Sequence, residues 1–279
     1  MQVLNMSEIL PLIKKQYLLE LAKERKREDE RGLDEYRPLD IQVSSVEKAE
    51  GSAVVTLGGT KVFAGIKVDA GEPYSDTPNE GVMITGAELI PMAAPDFEAG
   101  PPGQNAVELA RVVDRGIRES QAIDTIKLCV KEGELVRLVF VDLHILDYDG
   151  NLIDACGIAA MAALATTKMQ VLEEDGTPTE EYVDLPVRDL AIPCTFVKLG
   201  DVLLLDPSLD EEKAMDSRIT VATDKKQRVC AMQKGEIGGF SLNEVMQTVR
   251  TSKVKGEEIR AVMREVVQWE DSEPDTEEN

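Results

Sequence analysis

The order of the predicted elements assigns this chain of 279 residues to the α+β class, as a duplicated unit. Two parts of the chain each consist of several strand-like segments followed by helices, which indicates that one α+β unit occurs twice. Residues 155–165 (ACGIAAMAALA) carry no charge and predict a helix that is buried on all sides. A bilayer span needs about 20 apolar residues. We therefore expect this shorter helix to lie inside the protein, at the centre of the fold.

The first part begins with a predicted helix from residue 7 to about residue 31, with Ser7 as its N-cap. Its charged second half, KERKREDER, favours a solvated helical face, with a phosphate-facing patch as the alternative. Arg37-Pro38 ends this helix. Four strand-like segments follow, with a hairpin at Gly58-Gly59 between the second and the third, at residues 39–46, 53–57, 61–68 and 82–91.

Residues 94–103 (APDFEAGPPG) are incompatible with regular structure. A second helix is then expected from an N-cap at Asn105 to about residue 120. Residues 136–146 read as a long strand, rich in valine, leucine and isoleucine. The turn Asp149-Gly150-Asn151 connects this strand to the buried helix, and in many folds a ligand lies at such a turn.

The second part repeats the order of strands and helices after an acidic connector at residues 173–181. A final helix, capped by Ser241, runs to about Trp269 with a break expected near Gly256. The four preceding strands are predicted at residues 191–199, 202–205, 217–222 and 229–233. These elements divide the chain into an N-terminal helix (1–30), a core domain (31–172), a second subdomain (182–268) and an acidic, disordered tail (269–279).

Composition limits the classes of function. The formal net charge is −22, which disfavours binding of free nucleic acid because phosphate contacts dominate that affinity, although the average can hide a basic face. The four cysteines are scattered without a C-x-x-C pair. This pattern argues against a metal cluster or a disulfide framework and is typical of the reducing cytoplasm. We expect neither a signal peptide nor a membrane span.

Known catalytic motifs are absent: the chain has no P-loop, no G-x-G-x-x-G after a strand and no H-E-x-x-H. Its only histidine, His144, lies in a strand pattern and is interpreted as structural. Three arginines, Arg111, Arg115 and Arg118, project from the face of the second helix opposite Leu109, at about 100° per residue. They can bind phosphates or pair with acidic residues of the same helix.

An acidic cluster follows the apolar strand at residues 202–205. Carboxylates at a strand end can hold Mg²⁺ or act as a general acid, but a solvated turn beginning at Asp206-Pro207 explains them equally well. The cluster comprises Asp206, Asp210, Glu211, Glu212 and Asp216.

Four segments together give a resemblance to a known family. They are RGLDEYRPL (31–39), NAVELARVVDRGIR (105–118), the DGN turn (149–151) with its alanine-rich helix, and LLDPSLDEE (204–212). In this order they resemble RNase PH-type proteins, from about residue 27 to residue 267. The chain resembles most closely the second, non-catalytic RNase PH-type subunit of the archaeal exosome ring.

The resemblance implies a duplicated β-α-β-α fold (ribosomal protein S5 domain 2-like) and a ring of three heterodimers with a catalytic paralogue. Such a ring degrades single-stranded RNA from its 3′ end under a cap of RNA-binding subunits. Inorganic phosphate is the nucleophile and nucleoside diphosphates are released. No cofactor or metal is then expected in this chain, because phosphate, with magnesium as an option, belongs to the partner's active site. From the scattered cysteines we expect a cytoplasmic protein.

Departures from the active family predict the role of this chain. Active relatives hold the attacking phosphate with a Thr or Ser and an Arg before the alanine-rich helix, where Leu152 and Ile153 stand here. Active relatives also use two aspartates six residues apart, and this chain has Asp206 and Glu212 at that spacing. By the resemblance, Arg111 and Arg115 match positions that contact RNA phosphates, and Arg118 is a weaker match.

We therefore expect a subunit that is inactive alone and positions RNA for its paralogue. Two alternatives stay open: a phosphorolytic exoribonuclease in its own right that uses Asp206 and Glu212, and an acidic α/β scaffold without RNA contact.

Overall fold

The computed structural model describes residues 6–269 of the chain. After helix α1 (Met6–Lys23), the first part forms a six-stranded sheet in the order β1-β2-β3-β6-β4, with β5 paired to β6. All neighbours are antiparallel except β4 and β6, which are parallel and are connected through helix α2 (Gln104–Glu119). The strands are β1 Leu39–Val43, β2 Gly51–Leu57, β3 Thr60–Gly71, β4 Val82–Leu89, β5 Cys129–Lys131 and β6 Leu135–Asp147.

Helix α3 (Leu152–Ala165) is the predicted central helix, and the residues from Ile153 to Leu164 are all buried. It packs on β2 and β3 on one side and on β9 (Ile192–Leu199) on the other. Gly157 permits this close approach, since an added Cβ atom there would meet Pro193 Cγ at 2.5 Å. The prediction of a helix buried on all sides is confirmed.

The second part forms a four-stranded antiparallel sheet in the order β10-β9-β11-β12. Along the chain, short helix α4 (Leu209–Ala214) follows β9 and β10 and precedes β11 and β12. Helix α5 (Leu242–Val267) comes after all four strands. Each part thus has strands, a helix, strands and a helix, which confirms the predicted α+β class and its duplication. The remaining strands of this sheet are β10 Val202–Leu205, β11 Ser217–Thr223 and β12 Val229–Gly235.

Several predicted boundaries were wrong. Helix α1 ends at Lys23 rather than near residue 31, because the chain then turns so that Arg27 can reach the acidic cluster. Helix α2 is capped by Gly103 rather than by Asn105, which is its second residue. Helix α5 is not broken at Gly256, where the missing side chain allows contact with Thr223.

The acidic connector at residues 173–181 is part of a hairpin of strands β7 (Lys168–Leu172) and β8 (Pro178–Asp184). Its turn contains Gly176 at φ +86°, a left-handed conformation that glycine adopts without strain. Residues 94–103 contain neither helix nor strand, as predicted. The predicted acidic tail from residue 270 onward lies outside the described residues.

All four cysteines, each within the described range, are free thiols. His144 lies in β6, where its ring stacks on Phe63 and its Nδ1 lies 3.0 Å from Glu88 Oε2. Between residues 6 and 269, no helix has both the length and the apolar character needed to span a membrane.

Candidate functional site

The turn before α3 is fixed by close backbone contacts. Asn151 has left-handed dihedral angles (φ 55°, ψ 50°) and Gly150 has φ +89°. An added Cβ atom on Gly150 would meet Leu209 N at 2.6 Å, so the turn lies directly against the start of α4. The Thr60 hydroxyl donates to the Gly150 carbonyl oxygen at 2.6 Å and accepts the Asp149 N–H at 3.0 Å.

The N-terminus of α3 is occupied by a carboxylate of the chain itself. Helix N-termini attract anions because their first N–H groups have no partner inside the helix. Here the Asn151 N–H donates to Glu212 Oε1 at 2.9 Å, and the Tyr148 hydroxyl donates to Glu212 Oε2 at 2.7 Å. Burial raises the pKa of Glu212. The next residues, Leu152 and Ile153, are apolar, so their side chains can donate no hydrogen bond to phosphate.

Asp206 lies at the centre of a buried ion-pair network. Its carboxylate is fully buried and accepts hydrogen bonds from Arg37 Nε at 2.9 Å and from Arg37 Nη2 at 2.8 Å. Arg31 Nη1 donates at 3.0 Å and Asn151 Nδ2 at 2.7 Å. The Arg37 backbone N–H also donates to it at 2.8 Å. Both carboxylate oxygens thus have several donors, which leaves Asp206 unsuited to proton transfer.

A second buried pair extends the network. Arg27, whose side chain is 0% exposed, donates through Nε to Glu211 Oε1 at 2.9 Å and through Nη1 to the Leu205 carbonyl at 2.7 Å. The interpretation of the acidic cluster as a solvated turn was wrong for Asp206 and Glu211, because both side chains are buried and paired with arginines. No group of three or more acidic, histidine or cysteine side chains suited to a metal ion occurs among the described residues.

Asp154, in the first turn of α3, is a further buried acid that sequence reasoning missed. Thr195 donates to it through its backbone N–H at 2.9 Å and its hydroxyl at 2.7 Å, and the Tyr36 hydroxyl donates at 2.8 Å. Burial raises the pKa of Asp154 to about 6. Through these hydrogen bonds, the carboxyl group connects the first turn of α3 to Thr195 in β9.

The three arginines of α2 differ in their surroundings. Arg111 is exposed and forms no ion pair with any residue in the described part of the chain, and Arg115 Nη1 donates to Gln233 Oε1 at 2.8 Å. Both border an open groove of about 430 Å³ that also contains Gln104 and Gln233. Arg118 lines a different cavity. Its Nη2 lies 3.0 Å from Asp114 Oδ1, and hydrogen bonding to that carboxylate raises the pKa of Arg118.

These features define an α+β protein with tandem units of one fold, in which the helix end suited to an anion holds an internal carboxylate. Residues 35–170 match domain 1 of the 3′ exoribonuclease family, and residues 189–255 match domain 2. The chain belongs to this family, the RNase PH family, and the resemblance found in its motifs is confirmed.

Relatives and solved structures agree with this assignment. The chain is 52% identical over 265 residues to the exosome complex component Rrp42 of Thermococcus gammatolerans, covering 93% of this chain and 97% of the relative. It is 49% identical over 254 residues to the Rrp42 component of Thermoplasma volcanium, covering 91% and 96%. A chain of the Archaeoglobus fulgidus exosome with RNA bound to the active site matches with a TM-score of 0.87 and 46% identity, covering 91% of this chain and 99% of that chain.

Proposed function

We propose that this chain is a non-catalytic subunit of an archaeal-type exosome ring and positions RNA for a catalytic paralogue. Its similarity to Rrp42 components extends over more than nine-tenths of both sequences, and a chain of a solved archaeal exosome core superimposes with a TM-score of 0.83. The observation that carries the proposal is that a carboxylate of the chain itself occupies the α3 N-terminus, where Glu212 accepts the Asn151 N–H.

Three features at this helix end oppose phosphorolysis by the chain alone. Leu152 and Ile153 provide no donor for the attacking phosphate. The Glu212 carboxylate repels a second anion at the N–H group that it accepts. Asp206, the position of a catalytic acid in active relatives, is held by Arg31 and Arg37. Each of these features would have to change before phosphate could bind and react there.

The RNA-binding part of the proposal rests on Arg111 and Arg115. Both lie at the open groove on α2, and Arg111 has no acidic partner among the described residues. Arginine side chains in such positions contact phosphate oxygens and contribute the salt-dependent part of the affinity for nucleic acids. Arg118 contributes less in this account, because Asp114 already neutralises it.

The proposed assembly is a trimer of heterodimers with the catalytic paralogue, covered by RNA-binding cap subunits, in the cytoplasm. Inorganic phosphate, with magnesium as an option, would then act at the paralogue's active site. The arrangement removes the objection raised by the net charge of −22, because a single local basic face suffices when the partners supply further positive charge.

The two alternatives are less well supported. A phosphorolytic enzyme using Asp206 and Glu212 requires a free acid, whereas Arg31 and Arg37 both bind Asp206. A scaffold without RNA contact leaves the exposure of Arg111 and the groove beside it unexplained.

Assembly is tested by mixing the purified full-length chain with the catalytic paralogue and measuring molar mass by light scattering after gel filtration. We expect a mass equal to three copies of each chain. A mixture that elutes as two separate species at micromolar concentration, with each chain folded, would contradict the proposed ring.

A further inference from the structure

A cavity of about 250 Å³ lies beside the occupied end of α3. Leu152 and Ile153, at the positions where active relatives carry phosphate-binding side chains, form part of its apolar wall. Phe97 and Tyr148 line it as well. The replacement of polar donors by leucine and isoleucine therefore gives this site an apolar surface, in addition to removing its affinity for phosphate.

The aromatic residues of this cavity have a defined geometry. The rings of Phe97 and Tyr148 stack with centroids 5.3 Å apart and an interplanar angle of 20°. The hydrogen bond from the Tyr148 hydroxyl to Glu212 fixes one end of the stack. Aromatic rings beside an apolar wall are suited to a flat, uncharged ring system, as in proteins that stack nucleobases.

Polar groups at the same cavity can recognise the edge of such a ring. The Arg218 side chain lines the cavity, where its Nη2 donates to Glu108 Oε1 at 2.7 Å. The Asn105 side chain also lines the cavity and can donate and accept hydrogen bonds. Well-defined ligand sites combine a mostly apolar wall with a few polar groups of this kind.

The charges around the cavity disfavour an anion. Arg218 and Lys213 are balanced by Glu108, Glu212 and Glu236, which leaves one excess negative charge in the lining. A phosphate group placed here would meet these carboxylates without the two donors that active relatives provide. Ligands of drug size occupy cavities of about 300–1,000 Å³, so this smaller space suits a compact ligand.

We propose that this cavity is a binding site for a free nucleoside, held through its uncharged base and selected against the corresponding nucleotide. Phe97 and Tyr148 contact the base, Leu152 and Ile153 form the apolar wall, and the side chains of Arg218 and Asn105 bind its edge. The proposal does not depend on RNA binding at α2, because the two sites are lined by different sets of residues apart from Glu108.

The test uses the full-length chain and ligand-observed NMR saturation transfer, with adenosine, guanosine, cytidine and uridine as probes. Adenosine monophosphate and inorganic phosphate are titrated in parallel. We expect saturable binding of at least one nucleoside and, for adenosine, an affinity about tenfold or more above that of its monophosphate, a difference of about 1.4 kcal/mol. Equal or tighter binding of the monophosphate would overturn the proposal.

Two variants test the location of the site. Leu152→Trp fills the cavity and Phe97→Ser removes one ring of the stack, and we expect each to weaken nucleoside binding about tenfold or more. Met92→Trp is the matched control, because Met92 is 74% exposed on the same loop as Phe97 and does not line the cavity. Circular dichroism verifies that each variant is folded.

The proposal fails if the folded wild-type chain binds none of the four nucleosides in a saturable manner. It fails equally if binding survives both Leu152→Trp and Phe97→Ser. Neither result would bear on the proposed function, which rests on the contact of Glu212 with the Asn151 N–H, on assembly, and on Arg111 and Arg115.

Discussion

Replacement of Asp206 with alanine is expected to lower the free energy of unfolding by about 3–5 kcal/mol, the range for breaking a buried ion pair by removing one partner. The substitution leaves the Arg37 guanidinium, whose side chain is 6% exposed, with half-exposed Asp149 as its only ion-pair partner among the described residues. It also removes one of the two acceptors of the Asn151 side-chain amide, the other being Asp154. Since domains are commonly stable by only about 5–15 kcal/mol, this loss is a large fraction of the total.

Urea denaturation measures the effect as a shift of the midpoint at constant slope. Asp210→Ala is the matched control in the same segment, because Asp210 is 51% exposed and pairs only at the surface with Lys14. We expect its effect to stay within about 0.5 kcal/mol. If Asp206→Ala were as stable as wild type, the structural role assigned to Asp206 would be wrong, and a free carboxylate available for chemistry would become the better account.

The double variant Arg111→Ala, Arg115→Ala is expected to weaken binding of single-stranded RNA by the assembled complex about tenfold or more. For single strands, each lost phosphate contact lowers the salt slope of the affinity by about 0.7. Two lost contacts should therefore reduce the slope of log K against log salt concentration by about 1.4. Fluorescence anisotropy with a labelled RNA, repeated at several salt concentrations, gives both quantities.

Arg250→Ala is the control for the loss of a surface arginine. Arg250 is exposed on α5, outside the groove that contains Arg111 and Arg115. Its substitution should leave the affinity and the salt slope unchanged, and Arg118→Ala should have a smaller effect than the double variant. An unchanged affinity in the double variant would favour the scaffold alternative.

The central helix and the duplicated α+β order could be predicted because both are recorded in local patterns. The uninterrupted apolar run at residues 155–165 allows only a buried helix, and α3 occupies that place. Two missed elements also had local signals. Asp175-Gly176 is a typical hairpin turn, and the Ser208–Glu211 spacing matches the capping box that starts α4.

The ion-pair network could not be predicted from local patterns. Arg37 and Asp206 are 169 positions apart, and Arg27 and Glu211 are 184 positions apart. Arg27 taken alone fits the charged, solvated helix face that KERKREDER predicts, and Arg37 taken alone indicates only the end of that helix before Pro38. These charges are buried together only because the chain after Lys23 packs against the end of β10, next to Asp206.

The arginine face of α2 was predicted in part. Helical periodicity correctly placed Arg111, Arg115 and Arg118 away from the buried stripe. Periodicity could not predict which of the three arginines is paired, because pairing depends on the direction in which each side chain turns toward a neighbouring residue. Arg118 turns to Asp114 on the same helix, whereas Arg115 reaches Gln233 on β12.

Phosphate-dependent degradation of a 3′-tailed RNA tests the central claim most directly. The full-length chain is assayed alone, then together with its catalytic paralogue, and release of nucleoside diphosphates is followed by chromatography. We expect no release from the chain alone and phosphate-dependent release from the mixture. A Glu212→Gln variant controls for a contaminating nuclease, since a contaminant is indifferent to this change. Phosphate-dependent release by the chain alone that disappears in Glu212→Gln would contradict the assignment of a non-catalytic subunit.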